Sequence, residues 1–96
     1  MITHSVFMKL KYASGSAQEK VFMERAEKLA DIPGVLNYRI VKETSPKNDF
    51  EYGLVMQFES QKEYDSYNDH PEHSAFVEEV WIPNVATFQE IDYQQL

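Results

Sequence analysis

The segment Tyr67-Asn68-Asp69-His70-Pro71-Glu72-His73 gathers two of the chain's three histidines around a proline, with a tyrosine just upstream. Histidine titrates near neutrality, with a reference pKa of about 6.5, and a phenolic hydroxyl can donate a hydrogen bond to developing negative charge. Brought to one substrate, these two groups suffice for acid/base chemistry. His73 would take a proton from the carbon beside a carbonyl while Tyr67 holds the oxygen that becomes an enolate. Such a reaction needs no cofactor, and none is expected. The third histidine, His4, could orient the same oxygen.

The same segment offers Asp69, His70, Glu72 and His73 as metal ligands, but their spacing is poor. A His-Glu-x-x-His helix puts both imidazoles on one face, whereas Pro71 breaks the element that would hold them. No metal is expected. His70, immediately before the proline, reads as part of a helix junction first and as a substrate contact second.

These side chains depend on the elements that carry them. From Ile2 to Tyr12 the residues alternate, with His4 on the face shared by Ile2, Val6, Met8 and Leu10, which predicts strand β1 with His4 pointing inward. Ser16-Ala17-Gln18-Glu19 has the form of a capping box, and Phe22, Ala26, Leu29 and Ala30 then fall on one face of a helix over 17–30. Ile32-Pro33-Gly34 ends it, and Val35 to Glu43 reads as β2. The polar cluster 44–49 turns the chain into β3, Tyr52 to Glu59.

A second capping box, Ser60-Gln61-Lys62-Glu63, starts another helix, which should end near Asp69 or His70 because the residue before a proline avoids the α region. A further helical piece restarts at Pro71 and runs to Ile82-Pro83-Asn84, followed by β4 from Val85 to Tyr93. In an unbroken helix Tyr67 and His73 would point to different faces; the break lets them converge. The order βαββαβ is the ferredoxin-like arrangement, an α+β fold with one antiparallel four-stranded sheet and helices on one face, here expected as a single domain over residues 1–96. Phe7 and other outward apolar residues leave the second sheet face too apolar for a small monomer. A C2 homodimer through the sheet faces, with an eight-stranded barrel-like interface, would cover it.

Composition removes other classes. Sixteen acids against nine bases give a net charge of −7, which disfavours nucleic acid and anionic membranes as partners and leaves a neutral or cationic small molecule or another protein. The lack of cysteine excludes thiolate nucleophiles and disulfides. The chain opens on a strand pattern rather than a leader, so a cytoplasmic address is expected.

Met1 to Lys11, Ile32-Pro33-Gly34-Val35, Tyr64 to His73 with its His-Pro-Glu-His, and the closing Asp92-Tyr93 together resemble the stress-responsive A/B barrel domain family, the dimeric α+β barrel proteins. The resemblance spans essentially the whole chain and implies a ferredoxin-like subunit that dimerises through its sheets. Plant members that look like polyketide cyclases carry out a cofactor-free intramolecular aldol condensation, while many bacterial members have no assigned activity. By resemblance the acid/base pair falls on Tyr67 and His73, with His4 and Asp92 nearby. The helix over 17–30 and the loop 44–50 depart from the plant pattern, so the substrate does not carry over.

Three functions follow as expectations. The first is a homodimer with a histidine-lined hydrophobic cavity for a small carbonyl or aromatic compound, with cyclase-like or isomerase-like catalysis by His73, Tyr67 and His4 and substrate contacts from Asp92 and His70. The second is a stress-associated binding dimer whose histidines are structural. The third is chemistry like that of cofactor-independent monooxygenases. Most of the tyrosines and phenylalanines are expected in the core or the dimer interface.

Overall fold

A computed structural model describes all residues, Met1–Leu96. Four strands, β1 (Ile2–Leu10), β2 (Leu36–Lys42), β3 (Tyr52–Phe58) and β4 (Val85–Tyr93), form one antiparallel sheet in the order β2-β3-β1-β4. The two central strands carry most of the buried sheet residues, and β4 is an exposed edge. The period-two alternation of β1 sends Val6, Met8 and Leu10 into the core beside Leu54, Met56 and Phe58 of β3.

The helices cover that inner face. α1 (Ala17–Glu27) starts where the Ser16 hydroxyl accepts from the Glu19 amide at 3.2 Å. Glu19 does not close the box on Ser16; its carboxylate takes the Gly15 amide at 3.3 Å and the Tyr52 hydroxyl at 2.8 Å, tying the helix start to β3. The helix tightens into a 3₁₀ turn over Lys28–Asp31. With three residues per turn, burial continues from Ala26 to Leu29 and Ile32, so Ala30, expected on the buried face, turns to solvent.

The second helical region is broken in two places. α2 (Gln61–Asp69) ends at His70, and α3 (Pro71–Phe76) restarts at the proline. At the head of α2 the expected capping box does not form: the Ser60 hydroxyl donates to the Glu63 carboxylate, a charge-assisted bond, rather than capping a backbone amide. After α3 the chain makes a π-helical turn over Val77–Trp81 and one last turn, α4 (Ile82–Asn84), before β4. Pro83 therefore sits inside helical backbone rather than ending it. The wider turn has already disturbed the regular ladder, and the Asn84 side chain satisfies the Val80 carbonyl at 2.7 Å.

The outer sheet face has no helix. It shows Phe7, Ile91 and Tyr93, with Ile91 48% and Tyr93 56% exposed. The Phe7 ring lies over Gly53 on the neighbouring strand, so close that a Cβ there would meet it at 2.5 Å. With Phe50 it borders a shallow groove on this face. No helix is long and apolar enough to cross a membrane.

Candidate functional site

Between the inner sheet face and α2–α3 lies a cavity of about 280 Å³, near the lower end of the range for small-molecule sites. Ten of its thirteen lining residues are hydrophobic; the other three are His4, His73 and Glu90. Its floor is β1 and β3, and its roof is Tyr67, His73, Phe76, Val77 and Trp81. Its open side lies along the β4 edge, where Ile82 is 62% and Phe88 54% exposed.

His4 enters from the floor. Register pairs it with Met56 on one side and Asp92 on the other, which brings two residues from opposite ends of the chain together on neighbouring strands. Its Nδ1 lies 2.6 Å from Asp92 Oδ1. A carboxylate only accepts, so Nδ1 carries the proton, and in the neutral ring Nε2 keeps the lone pair. Tyr64, buried on α2, closes a three-membered cluster: its hydroxyl donates to Asp92 Oδ2 at 2.8 Å and sits 2.8 Å from His4 Nδ1. Burial first, and Asp92 second, push this hydroxyl well above its ordinary pKa. It stays protonated and holds the carboxylate in place. The Tyr64 ring stacks on Phe58 at 5.0 Å, which fixes the hydroxyl's aim.

His73 comes from the roof. Its Nδ1 faces the Asn68 carbonyl at 3.2 Å, across the break at His70-Pro71. A carbonyl also only accepts, so His73 too presents Nε2 as its lone-pair atom. Burial depresses its pKa below 6.5, and His4 acts in the same direction, while the Asn68 carbonyl and Glu90 oppose them. Tyr67 lies between the two imidazoles, with ring centroids 4.5 Å from His73 and 6.3 Å from His4. Its side chain is buried, its hydroxyl bonds to nothing in the chain, and burial reinforced by Glu90 raises its pKa well above 10.

The fold thus brings His4, Tyr67 and His73 to one cavity, with Asp92 behind His4. It does not bring His70 there. With φ −67° and ψ 136°, the extended backbone that a following proline favours, His70 caps α3, its Nδ1 accepting from the Glu72 amide at 3.1 Å. Tyr64 and Glu90 belong to the site without having been singled out from sequence. Tyr64 stands one helical turn before Tyr67 and so shares its face, a signal the sequence carries. Nowhere do three or more His, Asp or Glu side chains gather as metal ligands.

Fold and cavity together define an α+β protein of ferredoxin-like architecture with two imidazoles and a phenol facing one apolar chamber. The family model of the stress responsive A/B barrel domain matches residues 2–95, and the chain belongs to that family. A crystal structure of a family member with a ferredoxin-like fold from Mesorhizobium loti is 46% identical, with a TM-score of 0.97 over 99% of this chain and 96% of that one. More distant likenesses include a dimeric ferredoxin-like protein from Thermobifida fusca, 20% identical with a TM-score of 0.80 over 98% and 90% of the two chains. The hydroxynitrile lyase of Passiflora edulis is 17% identical, with a TM-score of 0.83 over 96% and 90%. No curated protein matches the sequence.

Proposed function

We propose that the cavity takes a small carbonyl-bearing molecule and moves a proton on it without a cofactor. The observation that carries this is the pair of imidazoles lining one cavity, one per layer, each with Nδ1 engaged by an oxygen acceptor. His73 is the base. It removes a proton from the carbon beside the carbonyl; the C–H electron pair becomes the enolate double bond, and the displaced carbonyl pair goes to oxygen. The Tyr67 hydroxyl, kept protonated and otherwise unpartnered, donates to that oxygen. His4, oriented by Asp92 and Tyr64, accepts from a substrate hydroxyl.

The working unit is a cytoplasmic homodimer joined through the outer sheet faces. The exposed Phe7, Ile91 and Tyr93 support this, as does the description of several relatives of the same fold as dimeric.

Deuterium wash-in tests the proposal. Acetophenone in D₂O buffer, followed by NMR, should exchange its methyl protons faster with the protein than without it. His73→Ala should return the rate to background. Binding of acetophenone without any accelerated exchange would sink the catalytic reading and leave a binding protein. The name of the Passiflora protein adds a hydroxynitrile to the panel, whose cleavage to a carbonyl compound and cyanide takes a proton from the hydroxyl rather than from carbon.

A further inference from the structure

Glu90 donates or accepts no proton in the proposed reaction. It is the one charged residue among the cavity's lining, and no lysine or arginine accompanies it. Register pairs it with Val6, one step from the His4–Asp92 pair on the same face of β4, so its carboxylate borders the open side of the chamber. Its charge reaches Tyr64, Tyr67 and His73 alike, raising each toward its protonated form. The chain as a whole carries −7.

We infer that Glu90 sets the charge preference of the site: the cavity favours compounds that are uncharged at the carbonyl end and carry an ammonium or a hydroxyl at the outer end, and it binds carboxylates more weakly. This rests on the reading of the chamber as a ligand site. An anion entering would lose hydration to apolar walls, meet no cation, and pass a fixed carboxylate on the way. An ammonium keeps its contact with water at the open side while pairing with Glu90. Because Glu90 is exposed, each effect is modest, about threefold in affinity, so an ammonium and a carboxylate of the same shape differ by about tenfold at low salt.

The test uses benzylamine, benzyl alcohol and benzoate, which share one ring and differ in the outer group, titrated at neutral pH while the ring-proton signals of His4 and His73 are followed by NMR. Benzylammonium should bind about tenfold more tightly than benzoate with benzyl alcohol between them, and the spread should shrink in high salt and collapse in Glu90→Gln. Equal affinities in the wild-type protein would overturn the inference. So would an unchanged spread in Glu90→Gln, which would assign the selectivity to the net charge instead. If benzyl alcohol moves neither histidine signal, the chamber is no ligand site, and the selectivity falls together with the proposed function.

Discussion

Removing the Tyr64 hydroxyl alone separates its positioning role from its packing role. Tyr64→Phe keeps the ring that stacks on Phe58 at 5.0 Å and meets the His4 ring at a tilt at 4.9 Å, so the core should not collapse. What is lost is a bond to Asp92 Oδ2, of the charged kind that is worth about 1.5–3 kcal/mol when the abandoned partner is buried. Asp92 is not buried: its side chain is 41% exposed, and water can replace the hydroxyl. The expected cost is therefore about 1 kcal/mol, which in a chain of this length lowers the melting midpoint by about 4–8 °C at fixed protein concentration. Tyr64→Ala, which also empties the ring's site, should cost about 3–5 kcal/mol. The decisive reading is the nitrogen-15 spectrum of His4. In the wild-type protein Nδ1 should carry the proton; in Tyr64→Phe the Nε2–H tautomer should gain population as Asp92 loosens. A loss of more than about 3 kcal/mol in Tyr64→Phe would show that water does not reach Asp92. An unchanged midpoint together with an unchanged tautomer would refute the positioning role.

Other outcomes follow from the same geometry. Tyr67→Phe removes a hydroxyl with no partner in the chain, so stability should change by less than about 0.5 kcal/mol in urea unfolding, while deuterium wash-in should fall by about 10-fold or more. His73 has a depressed pKa in the folded chain, so its neutral, competent form persists below pH 6.5, and the acid limb of the exchange rate should lie below that value. The sign for stability is opposite to that of a salt-bridged histidine. Between the folded and unfolded pKa values the unfolded chain binds more protons, so stability should rise with pH in that window, and His73→Asn should flatten the slope. Gly53→Ala would drive a Cβ to 2.5 Å from the Phe7 ring, forcing it off the outer face; sedimentation should then show the proposed dimer dissociating at about tenfold higher subunit concentration.

The parts of this site written in local periodicity were legible in the sequence. Alternation along β1 turned His4 inward, and the clash between Pro71 and the preceding residue broke the helix where Tyr67 and His73 needed it broken. The boundaries of α2 and β4 came out to within a residue for the same reason. What local pattern does not contain is register. The His4–Asp92 bond exists only because β4 returns beside β1 in that alignment, and the Tyr64 contact to Asp92 spans the helix and sheet layers. Glu90 reads on its own as one more exposed carboxylate, and only its alignment with Val6 sets it beside the chamber. His70, read first as part of the helix junction and second as a substrate contact, serves the junction: an orphan amide at the start of α3 claims its Nδ1.

The two imidazoles hang from different layers, His4 from the sheet and His73 from the helices. Their separation is therefore a property of interlayer spacing, set in part by the bulk of buried residues such as Phe22 and Phe58 that do not line the chamber. The pair behaves like the jaws of a caliper. Trimming or enlarging a remote core side chain would reset the gauge, so the length of molecule that the proposed site would accept can drift through core substitutions that never touch it.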